Sequence, residues 1–245
     1  MRILVVNPNT SEIVEDVIGR SARRAAGVGT EIVAMRSPGG TRNIDSAYGD
    51  YMSAPHMIEA VRRRVAEEPF DAMVLAGFGN VGIYALKEVL EIPVVSISEA
   101  SMAMACLLGH RFSTLTMLDQ FIPYQQDIVR LYGFEAKCAS VRSINVNVER
   151  AVVERESTLA DLSAQVKAVV AEDKAEVVIL ACAGLCDYDR DLSEVSGVPV
   201  IDPVVAGVKM AESFVSMGIA HSKVRKFHSP PQPIDDYEGW RLAGE

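Results

Sequence analysis

Residues 177–185 of this 245-residue chain read VVILACAGL, a short apolar run that leads into a turn of small residues. Such a run is typical of a buried strand followed by the start of a helix. Residues 72–80 read AMVLAGFGN and have the same form at an offset of 105 positions, which aligns Cys182 with Gly77. The sequence therefore predicts two similar strand ends, one of which carries a thiol where the other carries a glycine.

The repeat extends beyond these two stretches. Residues 93–96 read PVVS and are echoed by PVID at 199–202, while RILVVN at 2–7 is echoed more loosely by FSTLTM at 112–117. So long a period indicates duplication of a whole domain rather than a solenoid, whose repeats are roughly 20–50 residues. The alternative is coincidence, because parallel α/β domains commonly reuse apolar strands that begin with Pro-Val.

Short apolar runs alternate with amphipathic segments along the chain. Most of these runs are continuously apolar, as expected for strands covered on both faces. Predicted strands cover residues 2–6, 30–34, 72–76, 93–97, 113–118, 136–141, 176–181 and 198–201. Predicted helices cover residues 11–26, 55–68, 81–90, 99–108, 121–132, 151–172 and 203–217. This alternation predicts an α/β fold built on mainly parallel sheets.

Composition excludes several classes of function. The formal net charge is −9 and no block of basic residues occurs, so we expect neither a nucleic acid nor an anionic membrane as partner. The longest apolar runs are far shorter than the roughly 20 residues that a membrane span needs. The N-terminus reads as a strand rather than a signal peptide. The four cysteines do not make a disulfide scaffold in a chain of this size, so we expect a cytoplasmic protein.

Four turns follow predicted strand ends, and ligands of open parallel sheets bind at the carboxyl ends of strands. Two facing halves therefore enclose a site between them. In the first turn, amide side chains and helix N–H groups can hold a small carboxylate or imide, although a capped helix alone explains the same residues. The two glycines of the second turn permit close approach of a ligand. The predicted substrate-binding residues are Asn7, Asn9, Thr10, Gly77, Phe78, Gly79, Asn80, Thr116, Ala183 and Gly184.

Cys182 is the predicted catalytic residue. At the start of a helix, a thiol meets the positive end of the dipole, which lowers its pKa from about 8.5 towards neutrality. Such a thiolate can act as a general base on a carbon acid or as a nucleophile, and the thiol can return a proton. The N–H groups of Ala183 and Gly184 can stabilise an enolate oxygen. The alternative is a buried cysteine that serves only as a small hydrophobe.

Neither a metal nor a cofactor is expected. Cys182 and Cys186 are four positions apart, but no second pair and no histidine cluster accompanies them, so a zinc site is disfavoured. The turn at 77–80 lacks the G-x-G-x-x-G spacing of a dinucleotide site. We expect Cys106 to lie in the core.

The chain resembles the cofactor-independent aspartate/glutamate racemase superfamily, and within it the hydantoin and allantoin racemases, over about residues 2–235. The matching segments are NPNTS at 7–11, EA at 99–100, GHRFS at 109–113, EDKAE at 172–176, LACAG at 180–184, GVPVID at 197–202 and SK at 222–223. The resemblance implies two pseudo-symmetric α/β domains, each a mainly parallel sheet flanked by helices, with the active site in the cleft between them. It places the first domain at 1–98 plus 205–245 and the second at 99–204. It also implies a small-molecule substrate. Helical faces rich in Met and Ala favour self-association, so we expect a homo-oligomer.

The chain departs from the family's pattern at one catalytic position. In those racemases two cysteines face each other across the substrate; Cys182 matches the second cysteine, whereas Gly77 stands in place of the first. The Asp-Pro that follows Phe-Gly in the family is here Asn80-Val81. A glycine cannot transfer a proton, so a racemase would need water or another group on that face. Candidates for that group are Tyr48, Tyr51 and His56.

Three readings of the function remain open from sequence alone. The first is a racemase or isomerase of a hydantoin-type cyclic ureide or related carbon acid, with Cys182 as acid and base of an enolate mechanism. The second is another single-cysteine enolate reaction, such as the decarboxylation, lyase or ring-opening chemistry of the same superfamily. The third is a binding paralogue without turnover.

Overall fold

The computed structural model describes residues 1–232, apart from the side chain of Glu149. Its eight strands are β1 Arg2–Asn7, β2 Glu31–Arg36, β3 Ala72–Leu75, β4 Val94–Ser96, β5 Phe112–Thr116, β6 Cys138–Ser143, β7 Val177–Leu180 and β8 Val200–Ile201. The α-helices of this part of the chain are α1 Glu12–Ala25, α2 Ala47–Glu67, α3 Ile83–Val89, α4 Ile97–Leu108, α5 Phe121–Leu131, α6 Val148–Val153, α7 Arg155–Ala171, α8 Asp189–Ser196 and α9 Pro203–Met217. None of these helices is long and apolar enough to cross a membrane.

The strands form two four-stranded parallel sheets of the same topology. The first has the order β2-β1-β3-β4 and the second the order β6-β5-β7-β8. The likeness extends to single hydrogen bonds, since the N–H of Ala76 donates to Val6 O and that of Ala181 donates to Leu115 O, both at 2.8 Å. The predicted α/β fold with two similar halves is therefore confirmed, and Cys182 and Gly77 occupy equivalent places after β7 and β3.

A core of buried side chains joins the two halves. It combines residues of β1 and β3 with residues of β5 and β7, and three helices, α1, α4 and α9, contribute to it. Helix α4 follows β4 yet contacts β5 and β7, while α9 follows β8 and contacts β3 and β4. Each half thus provides a helix that covers the sheet of the other. The predicted boundaries near 98 and 205 fall inside α4 and α9, and residues 233–245 of the first predicted domain lie outside the described residues.

Four elements differ from the prediction. Helix α2 begins at Ala47 rather than near residue 55, because Ser46 caps it by accepting from the N–H of Gly49 at 3.1 Å and Pro55 is accommodated inside the helix. Helix α8 was not predicted, and the helix predicted over 151–172 is divided into α6 and α7. The segment after Cys182 forms only a single 3₁₀ turn at Ala183–Leu185 instead of an α-helix.

Candidate functional site

A cavity of about 290 Å³ lies at the carboxyl ends of both sheets. Turns after β1 and β3 line it from one half, and the end of β5 and the turn after β7 line it from the other. The loop at 43–47, the first turn of α2 and helix α5 complete the wall. The sequence-predicted residues that line it are Asn7, Asn9, Gly77, Phe78, Gly79, Thr116, Cys182, Ala183 and Gly184.

Cys182 lines this cavity directly after β7 and keeps part of its surface accessible. Its Sγ accepts a 3.4 Å hydrogen bond from the N–H of Gly184. Burial nevertheless raises the pKa of the Cys182 thiol to about 11, and the backbone N–H groups of Gly184 and Leu185 oppose this shift only partly. The expected lowering of the pKa is wrong, because a single 3₁₀ turn provides too small a dipole to offset desolvation. The free protein therefore holds Cys182 as a thiol at neutral pH.

Gly77 packs directly under the ring of Pro8. A Cβ atom added at Gly77 would lie 2.6 Å from Cγ and 3.2 Å from Cδ of Pro8, closer than ordinary packing allows. The backbone of Gly77 is not in the left-handed region, so contact with Pro8 alone disfavours a side chain there. The place that corresponds to the Cβ of Cys182 in the other half is thus filled by the proline ring.

The turn after β1 is held by its own amide side chains. Asn7 donates from Nδ2 to Asn9 Oδ1 at 2.8 Å and to Ser11 O at 3.1 Å, and the N–H of Ser11 donates to Asn9 Oδ1 at 2.9 Å. Asn7 is buried and positions the turn. The Nδ2 donor of Asn9 has no acceptor among the described residues, which leaves it for a ligand.

Gln125 of α5 lines the cavity and was missed by sequence reasoning. Its side-chain amide nitrogen, Nε2, donates to Thr116 Oγ1 at 2.9 Å and to Ala181 O at 3.0 Å. Gln125 therefore ties the ends of β5 and β7 together and fixes the residue that precedes Cys182. In the sequence Gln125 is flanked by Tyr124 and Gln126, and no local signal marks it as a cavity residue.

Asp50 and Tyr124 form a second polar pair that the sequence did not reveal. The Tyr124 hydroxyl donates to Asp50 Oδ2, and it lies 3.2 Å from Gly79 O. Burial raises the pKa of Asp50, and the hydrogen bond from Tyr124 opposes that shift. Burial, together with the neighbouring carboxylate, raises the pKa of Tyr124. Both residues line the cavity, beside the turn that contains Gly77.

The structure does not bring every candidate to the cavity. Thr10 lies outside its lining and is held by a 3.0 Å bond from its N–H to Thr41 O. Asn80 has a left-handed backbone with φ +62°. Its Oδ1 accepts from Ser96 and Ser98 and its Nδ2 donates to Tyr132, so its side chain stabilises the end of β4. The candidates for the missing proton-transfer group, Tyr48, Tyr51 and His56, do not line the cavity.

A thiol, amide side chains and carboxyl side chains therefore line one cavity at the carboxyl ends of two like parallel sheets, which is where α/β enzymes bind their ligands. Within the described part of the chain, no group of three or more His, Cys, Asp or Glu residues is arranged to hold a metal ion.

Comparison with known proteins gives the family. The family described as Asp/Glu/Hydantoin racemase matches residues 3–211. The chain is 37% identical to hydantoin racemase from Pseudomonas sp. (strain NS671) over 94% of this chain and 92% of that protein. The crystal structure of allantoin racemase from Pseudomonas fluorescens superposes with a TM-score of 0.89 at 37% identity, covering 95% of this chain and 98% of the other. Allantoin racemase from Klebsiella pneumoniae gives 0.91 at 32% identity, covering 95% of each. The chain therefore belongs to the Asp/Glu/Hydantoin racemase family and is a racemase-type enzyme.

Proposed function

We propose that this protein is a cofactor-independent racemase of a neutral cyclic ureide of the hydantoin or allantoin type, with Cys182 as acid and base. The observation that carries the proposal is the position of Cys182, which follows a strand end and lines a cavity of about 290 Å³ shared by both halves. Relatives named hydantoin racemase and allantoin racemase match almost the whole chain. Their names supply the substrate class.

The side chains of the cavity favour a neutral ring over an anion. Asp45 and Asp50 both line it, and their negative charges oppose the entry of a substrate carboxylate. Asn9 and Asn147 line it as well, and their amide groups complement the alternating C=O and N–H groups of a ureide. A dicarboxylate would need cationic partners at the same walls. A ureide needs only hydrogen bonds.

The proposed chemistry passes through an enolate. Removal of the ring proton next to a carbonyl leaves negative charge on that oxygen, and reprotonation of the carbon from the other face inverts it. The N–H of Gly184 donates to Sγ and so stabilises a Cys182 thiolate when one forms. The N–H of Ala183, in the same turn, has no acceptor among the described residues and is placed to bind the enolate oxygen.

A second candidate is a single-thiol reaction in which Cys182 only delivers a proton to an enolate formed by bond cleavage. Two observations favour it. The raised pKa keeps Cys182 protonated, as a proton donor requires, and the Pro8 ring excludes a side chain at Gly77. This reading includes decarboxylation, lyase and ring-opening reactions.

The test uses single enantiomers of allantoin and of several 5-substituted hydantoins, incubated in D₂O and followed by chiral chromatography and by NMR of the ring proton. We expect loss of optical purity together with deuterium uptake. Cys182→Ala abolishes the loss of optical purity, while Cys106→Ala, which changes a cysteine of α4 outside the cavity, retains both effects. Release of CO₂ from a disubstituted malonate without any exchange supports the second candidate. Binding without turnover of any of these compounds contradicts both enzyme proposals.

We further propose that the enzyme works in the cytoplasm as a homo-oligomer. All four cysteines are free, which suits a reducing compartment. Exposed apolar side chains of α4 and α5, namely Leu107, Leu108 and Leu131, leave surface for self-association. Light scattering after gel filtration measures the oligomeric state, and a monomer at micromolar concentration contradicts this part of the proposal.

A further inference from the structure

Asp50 has one carboxylate oxygen that the fold does not use. Its Oδ2 accepts from the Tyr124 hydroxyl, whereas its Oδ1 is buried and has no hydrogen-bond partner among the described residues. Buried polar atoms are nearly always hydrogen-bonded. An unpaired carboxylate oxygen in a residue of the cavity wall therefore indicates that Asp50 has a role towards a bound ligand. The carboxyl belongs to the first turn of α2 and lines the same cavity as Cys182.

The position of Asp50 is tied to the turn that contains Gly77. The Tyr124 hydroxyl is within 3.2 Å of Gly79 O, and a Cβ placed at Gly79 would be 3.2 Å from Cε1 of Tyr124. Tyr124 thus packs against this turn while it holds Asp50. The turn after β3 is the counterpart of the turn with Cys182 after β7, and both line one cavity. A thiol on one side and a carboxyl on the other therefore face a shared substrate volume.

We infer that Asp50 is the proton-transfer group on the Gly77 side of the cavity, in the place where the family resemblance implies a cysteine, and that Tyr124 is its positioning residue. The inference rests on the proposed racemisation. The Asp50 carboxylate takes the ring proton as the C–H bond breaks and its electron pair forms the enolate. Cys182 then delivers its Sγ proton to the opposite face, which leaves a thiolate and a carboxylic acid. Proton exchange with water restores the starting forms, and the reverse direction uses the same two groups in exchanged roles.

Charge and burial suit these roles. Burial raises the pKa of Asp50, which makes its carboxylate a stronger base, and the Tyr124 hydroxyl holds its Oδ2 in position. Asp45 also lines the cavity, but its side chain belongs to an exposed residue and lacks such a partner. The tyrosines expected from the sequence, Tyr48 and Tyr51, are 74% and 78% exposed. Of the two aspartates, Asp50 is the one whose side chain is held by a hydrogen bond from Tyr124.

The test compares wild type with Asp50→Asn, using each enantiomer of a substrate that the wild type racemises in D₂O. The amide still accepts from Tyr124 but cannot take a proton, so racemisation falls by about 10²–10⁴-fold, the usual contribution of a general base. Deuterium exchange without inversion persists for one enantiomer, the one whose ring proton faces Cys182. Asp127→Asn is the matched control, because Asp127 is an exposed carboxyl on the helix of Tyr124, and it retains activity.

Tyr124→Phe provides a second variant with a distinct readout. Loss of the hydroxyl raises the pKa of Asp50 further, so the acid limb of the kcat/KM profile moves to higher pH while Asp50→Asn loses that limb. Racemisation by Asp50→Asn at the wild-type rate overturns this inference and leaves the proposed function intact. Loss of exchange for both enantiomers in a folded Asp50→Asn protein also overturns it, since Cys182 would then not act alone on its own face. A wild type inactive on every ureide overturns the proposed function first and this inference with it.

Discussion

The contact between Gly77 and Pro8 predicts a strong coupling between two residues of the cavity wall. We consider Gly77→Ala and Pro8→Ala, alone and combined. In the wild-type background the new Cβ meets Pro8 Cγ at 2.6 Å and Cδ at 3.2 Å, and the rigid ring cannot rotate away. In the Pro8→Ala background those two atoms are gone, and the nearest remaining atom of that side chain, Cβ, is 3.7 Å away, an ordinary contact.

The magnitude follows from two opposing terms. Overpacking of a filled site costs about 1–3 kcal/mol. Replacing glycine by alanine at an unstrained φ stabilises by about 0.4–1 kcal/mol, because the unfolded chain loses freedom. Gly77→Ala alone therefore lowers the free energy of unfolding by up to about 2.5 kcal/mol, whereas in the Pro8→Ala background it is neutral or slightly stabilising. The interaction energy of the cycle is the overpacking cost itself, about 1–3 kcal/mol.

The assay is urea denaturation of the four proteins, with the midpoint compared at a constant m-value. A thermal scan offers a second measure, since 1 kcal/mol shifts the Tm of a chain of this size by about 2–4 °C. The crystallographic position of Pro8 in Gly77→Ala is the control for a local cause. An interaction energy below about 0.5 kcal/mol refutes the steric account, because independent sites add within that limit. The same reasoning predicts that Gly77→Cys gains a usable thiol only when Pro8 is also replaced.

Three further predictions follow from the pKa directions and from Gln125. Because its pKa is raised to about 11, Cys182 reacts with iodoacetamide at pH 8 about 100-fold more slowly than a thiol of pKa near 9, measured by mass spectrometry, and an ordinary rate contradicts this. Burial and Lys87 lower the pKa of His221 to about 4, below its unfolded value near 6.5. The stability that neutral His221 provides is therefore complete above pH 6.5 and is lost as the pH falls towards 4. His221→Gln flattens that part of the stability profile, and an unchanged slope in urea titrations contradicts the assignment. Gln125→Met leaves Thr116 Oγ1 and Ala181 O without their donor and lowers the free energy of unfolding by about 1–3 kcal/mol in the same assay.

Much of the fold was predictable because six of its eight strands, all but β2 and β6, are almost wholly buried. The predicted strands overlap all eight observed strands, and the internal repeat predicts two sheets of like topology. The start of α2 was not predictable in the same way. The predicted helix began at Pro55, whereas α2 is capped by Ser46 and continues through that proline. At this position tertiary context outweighed the low helix propensity of proline.

The cavity was predictable only in part, for a physical reason. Residues that follow strands in sequence, such as Asn7, Gly77 and Cys182, reach the cavity because parallel strands place their carboxyl ends together. Asp50 and Gln125 come from helices, and nothing in their local sequence shows which face of the helix meets the cavity. The pKa of Cys182 was also beyond local reasoning, because burial by both halves outweighs the turn in which the thiol lies.

The most direct test of the central claim is the rate at which a single enantiomer of a hydantoin or allantoin loses its ring proton to D₂O, measured by NMR for wild type and Cys182→Ala. If Cys182 is the acid and base of a racemase, the wild type exchanges and inverts both enantiomers, whereas the folded variant inverts neither and no longer exchanges the one whose ring proton faces Cys182. Equal rates for both enantiomers in the two proteins would contradict the claim.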